Sequence, residues 1–550
     1  MASRGAQPCK SRASRSLPPK ADGLRMTLTV QDSYDVVICG GGAAGCVIAG
    51  RLASLGGASV LLLEAGGPGE VSEVTDPRIW MRNIGSERDW RFASEPCAGL
   101  NGRRAPLPMG RVLGGGSSVN GLVWARGHKA DFDLWEAETG DPGWGFDAAI
   151  ALYRRIESWD GPASALRGVD GPMPITLPKA PVPVVGALLD AASSLGIPRV
   201  DDHNAEAMSG DGCCAVTNVN VAPDGTRVST ARAYLGPQKG RSNLTVLTGA
   251  TVRRVRIERG RATGVEFETG GGIRMVEARR QVVLSLGGIQ TPKTLMLSGV
   301  GDESELKRHG IEVVRHLPGV GGNFQDHILV GGCVFEYRTP EKPRNNSAEF
   351  TFFCKSDASL PSPDLQPMLE ETAFGSEVTG PAYGLPTDPS LAFTLAPGLI
   401  RPKSRGRVSL TGPRPEDPVR IDANFLSEEA DVAALKVALD LCREIGNSDA
   451  LRPFVKRELM PGPLAGPELL HFLRNAAGTY FHQSCTAKMG RDPQSVVDGS
   501  LRVHGIDNLR VADASVMPAI AGGNTLAPCV LIGERAADLI AADLGQPTSW

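Results

Sequence analysis

No stretch of this chain approaches the roughly 20 uninterrupted apolar residues that a bilayer-spanning helix needs, so no membrane span is expected. An excess of charge is also lacking: 58 Lys and Arg stand against 61 Asp and Glu, a formal net charge of −3. Composition therefore implies no basic face, and nucleic acid is not an expected partner. CxxC pairs are missing too. The eleven cysteines, Cys39, Cys46, Cys97, Cys333 and Cys442 among them, are scattered, with Cys213 and Cys214 adjacent. That pattern gives no zinc or other metal site and fits reduced structural thiols better than a disulfide framework. No internal repeat is evident. Residues 1–25 hold one acid, Asp22, among many Arg, Lys, Ser and Pro, and lack the apolar core of a secretory signal. They read as a disordered tail or as a start set ahead of Met26, with an organelle transit peptide as the alternative. A reducing, cytoplasmic location is the expectation.

What is present begins at residues 34–67, YDVVICGGGAAGCVIAGRLASLGGASVLLLEAGG. A short apolar, β-branched run from Tyr34 to Cys39 predicts a buried strand. Gly40, Gly42 and Gly45 supply GxGxxG, residues 43–55 continue with helical spacing, and Val60 to Leu63 predicts a second strand ending at Glu64. The three glycines serve a tight turn, close approach of backbone to a pyrophosphate, and close helix–strand packing. The helix that follows aims its free N–H groups at phosphates. Glu64, about 20 positions beyond the glycines, is placed to accept from ribose hydroxyls. Strand, glycines, helix, strand and acid in register predict an adenine-dinucleotide site.

A chain of 550 residues is long for one domain, and two joined domains are expected. After a loop-rich stretch, residues 109–121 read MGRVLGGGSSVNG. Three glycines in a row, flanked by apolar residues, predict a buried turn lying against a flat ligand. Residues 130–157 predict helix, turn, helix; residues 243–255 predict strand, turn, strand. Residues 264–268 and 275–278 predict a hairpin, and residues 281–286 a separate buried parallel strand. A helix follows, with Pro292 in its first turn and Gly299 at its end. From residue 331, alternating segments at 332–337, 349–353 and 391–397 predict an antiparallel sheet in a second domain. Loops 339–348 and 375–389 are long enough to serve as substrate lids.

Two C-terminal stretches carry the chemistry: GTYFHQSCTAKMG (478–490) and LRVADASVMPAIAGGNTLAPCVLIGERAADLI (509–540). Asp513 ends a strand, where an acid caps a turn or, beside a dinucleotide, holds ribityl or phosphate. Asn524 and Thr525 precede a helix whose N-terminus would favour negative charge. His482 is the best acid–base candidate, although a histidine in such a stretch is by itself more often structural. His309, His316, His327, His471 and His504 are expected to be satisfied by solvent or a backbone partner, and His128 and His203 read as loop residues. Glu370, Glu371 and Phe374 fit a cation cage and ordinary solvated loop charges equally well.

Together these motifs resemble the glucose–methanol–choline (GMC) oxidoreductase family over residues 34–544. The blocks that carry the resemblance are GxGxxG, GRVLGGGSSVNGLVWARG (110–127), residues 287–301, LPGVGGNFQDH (317–327) and the GGNT segment. The chain departs from the family pattern at Gly288, Thr294, Gly322 and Cys485-Thr486-Ala487. The resemblance implies an α/β fold, α+β overall: a Rossmann-like FAD-binding domain and an antiparallel substrate-binding domain, like p-hydroxybenzoate hydroxylase. It implies an N-terminal tail (1–30), an FAD-binding domain at 31–160, 225–330 and 490–545, and a substrate-binding domain at 161–224 and 331–489. It assigns His482 as catalytic base with Asn524 as partner. It also assigns Ala65, Arg111, Gly115, Gly116, Ser117, Asn120, Val252 (through its backbone), Asp513, Ala514, Asn524 and Thr525 to the cofactor. Val119 stands where some members carry a histidine that binds flavin covalently, so FAD is expected to be non-covalent. The implied reaction oxidises a primary, aromatic or heteroaromatic alcohol to the aldehyde, with oxygen or another electron acceptor. A choline-type or aliphatic alcohol dehydrogenase using a non-oxygen acceptor is the alternative; a flavin-containing lyase or photodecarboxylase is the alternative of another class.

Overall fold

In the computed structural model, residues 30–162 and 164–547 are described; the N-terminal stretch read above as a tail or transit peptide lies outside them. β1 (Ser33–Cys39) and β2 (Val60–Glu64) are almost wholly buried, joined by α1 (Ala43–Leu55). β3 (Leu244–Thr248) pairs with β2 from 180 residues on, and all three run parallel. β4 (Ala250–Glu258), β5 (Arg261–Thr269) and β6 (Gly272–Leu284) form an antiparallel meander. β6 then continues into the parallel sheet, pairing with β1 on one side and, beyond α2 (Gly287–Leu297), with β7 (Leu509–Val511) on the other. The resulting parallel order is β3-β2-β1-β6-β7.

β6 corrects the sequence reading. The hairpin strand and the parallel strand expected at 275–278 and 281–286 are a single element of 13 residues. Its first part is mostly exposed, while Val282, Val283 and Leu284 are fully buried. One strand serves two environments, and the change of pattern imitates a boundary. Pro292 is a second correction. It sits six residues into α2, not in the first turn. A proline there cannot donate to the carbonyl of Gly288 four residues earlier; that carbonyl instead accepts from Thr486 Oγ1 at 2.6 Å.

A second sheet of six strands is antiparallel throughout, in the order Val455–Met460, Val334–Tyr337, Ala392–Ala396, Met368–Glu370, Phe350–Phe353 and Cys213–Val216. Phe335, Phe393 and Leu395 from its strands pack in one apolar core with Leu435, Leu439 and Ile445 of the helix Glu429–Gly446. A small three-stranded sheet of Gly398–Leu399, Ile328–Val330 and Ala477–Thr479 lies at the approach to His482. The ten cysteines of the described residues are all free. No helix among these residues is long and apolar enough to cross a membrane.

Candidate functional site

The turn after β1 shows why glycine recurs there. Gly40 adopts φ +99°, and a Cβ on Gly45 would meet the Gly40 carbonyl oxygen at 2.0 Å, so α1 can press on the strand end only without one. From Gly42 onward the first-turn amides of α1 have no intrahelical partner. Glu64, at the end of β2, closes the turn: Oε2 accepts from Gly41 N (2.9 Å) and Oε1 from Gly66 N (2.7 Å). Burial nonetheless lifts its carboxyl to about 7.

The GGGSS turn comes against this element. A Cβ on Gly115 (φ +53°) would meet Gly42 Cα at 2.7 Å, so the two glycine turns touch through backbone. Gly116–Val119 is one short helical turn. Ser117 Oγ is committed to Gly114 O (2.6 Å) and accepts from Thr230 N (3.0 Å). Fully buried Arg227 donates to Asn120 Oδ1 and to Asn120 O, both at 2.6 Å, and to Ser117 O. Arg227 carries no motif and was not singled out in the sequence, yet it fixes the turn.

These elements line one cavity with about 1870 Å³ of empty space, partly open to solvent. At one end are Glu64, Ala65 and the β4 residue Val252; Gly40, Gly42, Gly115, Gly116, Ser117 and Asn120 follow. Asp513, Ala514, Asn524, Thr525 and His482 complete it. Two expected site residues stand apart from the lining. Gly45 serves the packing just described, and Arg111 lays its guanidinium over Trp90, 5.2 Å from the ring centre. Asp513 is a clamp: Oδ2 accepts from Gly287 N (2.9 Å) and Thr291 Oγ1 (2.6 Å), Oδ1 from Ser515 N (2.8 Å).

At the far end the wall is apolar, with Val123, Leu329, Ala348, Met368 and Tyr480. His482 stands here, its ring stacked on Tyr480 (5.0 Å between centres). The ring's accessible face borders the cavity and not the outer surface, so the surrounding protein still pulls its pKa down to about 3. Among the described residues its one ring hydrogen bond is Nδ1 to His327 Nδ1, 2.9 Å. The expectation for His327 fails as to solvent: it is fully buried, its ring bonds another side chain, and it faces His482 edge-on. Desolvation, with the His482 ring adding to it, holds it well below the usual histidine range, while the Ala521 and Ile400 carbonyls oppose that.

Asp326, beside it in the chain, accepts from His482 N (2.9 Å), Thr479 Oγ1 (2.5 Å) and Gln483 Nε2 (3.1 Å), and burial lifts it to about 7. Asn524 Oδ1 accepts from Gln366 Nε2 at 2.9 Å, which leaves Asn524 Nδ2 for the cavity. Asp326 and His327 close the FQDH block, and that adjacency was the available signal. Gln366 has none, since only the fold brings it to Asn524.

Residues 34–329 and 402–533 match the N- and C-terminal models of the family described as GMC oxidoreductase. The chain is 37% identical to the oxygen-dependent choline dehydrogenase of Vibrio vulnificus, over 93% of this chain and 95% of that protein. It is 36% identical to the mitochondrial choline dehydrogenase of Homo sapiens, over 94% and 91%. The crystal structure of pyridoxine 4-oxidase from Mesorbium loti superposes with a TM-score of 0.87 at 34% identity, covering 92% of this chain and 98% of that one.

Proposed function

The chain belongs to the GMC oxidoreductase family, an FAD-dependent oxidoreductase acting on CH–OH groups, and from that premise we propose that it oxidises a primary alcohol to the aldehyde with His482 as the base. The observation that carries the reading is convergence: His482 and Asn524 line the same cavity as the glycine turns and Glu64. The residues fit the dinucleotide. A backbone cradle that side chains would fill, unpaired helix amides and an acid at the strand end suit a pyrophosphate flanked by ribose. When bound, FAD supplies the acceptor for a hydride.

His482 has to receive the hydroxyl proton. We place the shared proton on His482 Nδ1, so that His327 Nδ1 accepts it; His327 Nε2, buried with no hydrogen-bond partner among the described residues, then holds that ring's own proton. His482 Nε2 then offers a lone pair to the alcohol, and burial, which holds the ring down to about 3, keeps it neutral. Asn524 Nδ2, oriented by Gln366, donates to the oxygen as charge develops on it.

With a valine at 119, FAD is non-covalent, and denaturation should release it to the supernatant. We also read two domains in the chain, a partition supported by the two sheets: β1–β7 fall within 31–160, 225–330 and 490–545 and all six antiparallel strands within 161–224 and 331–489. The test is anaerobic mixing of the purified yellow protein with pyridoxine, choline, benzylic, furanic and aliphatic alcohols while flavin absorbance is followed. One of them should bleach it, and the rate of recolouring in air then separates oxygen from another acceptor. His482→Ala should retain FAD and lose about 10²–10⁴ in the reduction rate; retained FAD with a wild-type rate would overturn the assignment.

A further inference from the structure

Glu370 is the acid that neither the fold nor the reaction above uses. It is not a solvated loop charge: it closes the strand Met368–Glu370, is 7% exposed, and lines the cavity. Alternate residues of an extended chain share a face, which puts Gln366, Met368 and Glu370 on one side. Gln366 holds Asn524, Met368 lies in the apolar wall, and Glu370 stands about 13 Å beyond Gln366 at about 3.3 Å per residue. Tyr480, whose ring stacks on His482, is also the phenol that feels the Glu370 charge. The carboxyl therefore belongs to the wall around the substrate, set back from the reacting carbon.

Glu64, Glu349 and Glu371, also buried, each take at least one backbone donor, although Glu371 Oε1 is itself left without one. Glu64 takes two backbone amides, Glu349 accepts from Val182 N, and Glu371 accepts from Arg344 N. Glu370 has no such partner among the described residues: its Oε2 is buried without a hydrogen bond, and burial lifts the carboxyl to about 8. A carboxyl left unpaired in an apolar wall costs stability, and filling the space would need only Leu, Met or Gln.

We propose that Glu370 is a specificity-determining residue that selects alcohols carrying a basic nitrogen, an amine or an azine, at the end remote from the hydroxyl. This rests on the alcohol-oxidation reading above. An azine nitrogen accepts a hydrogen bond from the intact carboxyl O–H; an amine enters as its ammonium ion while the carboxyl proton leaves to solvent, which sets a carboxylate against a cation. Charge-assisted hydrogen bonds of this kind are about twice as strong as neutral ones. A hydrocarbon end of the same shape leaves the carboxyl unpaired.

The holoenzyme tests this with matched pairs: 4-(aminomethyl)benzyl alcohol against 4-ethylbenzyl alcohol, and 3-pyridylmethanol against benzyl alcohol. Anaerobic flavin reduction gives the ratio of second-order rate constants within each pair. At least one pair should favour the nitrogen by about 30-fold or more, the low end for a buried charge pair, and Glu370→Gln and Glu370→Leu should collapse that ratio to within about threefold. The matching methyl compound, 4-methylbenzylamine, should inhibit the wild type competitively and the variants weakly. Hydrocarbon members that reduce the flavin as fast as their nitrogen partners in the wild type would overturn the proposal and leave the oxidation reading standing, whether or not the variants fold. A preference that survives both substitutions overturns it too. If no alcohol of either kind reduces the flavin, both readings fall together.

Discussion

The imidazole pair is where single residues decide most. Two Nδ1 atoms at 2.9 Å can share only one proton between neutral rings, so whichever ring donates fixes what the other presents elsewhere. If His327 is the acceptor, its removal leaves a buried His482 Nδ1–H without a partner and frees the ring to adopt the wrong tautomer. His327→Leu should therefore lower the anaerobic reduction rate about 10- to 100-fold with little change in the substrate dissociation constant. His327→Asn, whose carbonyl can accept in the same direction, should restore part of it. A His327→Leu protein with altered substrate affinity and an unchanged reduction rate would assign His327 to packing.

Among the elements, α2 carries an instructive defect. Pro292 leaves Gly288 O without its helical donor, and Thr486 fills the place from the His482 loop. Both residues read in the sequence as departures from the family pattern, and the fold brings them into contact. A Cβ at Gly288 would also meet Gln483 O at 2.6 Å, so the approach of loop to helix depends on the missing side chain. Thr486→Val keeps the shape and orphans the carbonyl, which should cost about 1–3 kcal/mol in denaturant unfolding. Elements with one environment were legible from sequence: α1 and the strands beside it were read almost to the residue. β6 was not, because it changes environment midway. At the site, the lining glycines, Glu64, His482 and Asn524 carried local pattern. Arg227 and Gln366 carried none, since a side chain that acts across more than 100 residues leaves no periodic trace. Glu370 was ambiguous because an acid before a loop reads alike whether water or a wall surrounds it.

Across the whole molecule, buried titratable groups pull stability in opposite directions with pH. Glu64, Asp326 and Glu370 have folded pKa values of about 7, 7 and 8, above their ordinary values, so the fold holds protons that the unfolded chain has released. Their contribution is full below about 4 and is lost as pH rises to about 8. His203 and His482, held down to about 4 and about 3, do the reverse, with stability lost as pH falls below the ordinary 6.5. The two sets offset each other between about 4.5 and 6.5, and above that only the acids act. The melting temperature should therefore fall between pH 6.5 and 8.5, and fall less in Glu370→Gln; an identical slope in both proteins would remove Glu370 from the account.

The strand β6 also governs timing. β1 pairs with it across more than 240 residues, and β7, which completes the parallel sheet, ends at Val511. At about 5–20 residues per second, β1 waits on the order of 10–50 s on the ribosome for its partner. Through that interval the apolar faces of β1, α1 and β2 have no sheet to join, and the nascent chain offers them to chaperones or to neighbouring copies. Asn524 and the last helix emerge later still. The cofactor site is thus completed only after these residues emerge, and flavin supplied during synthesis should raise the yield less than slower elongation through residues 285–510.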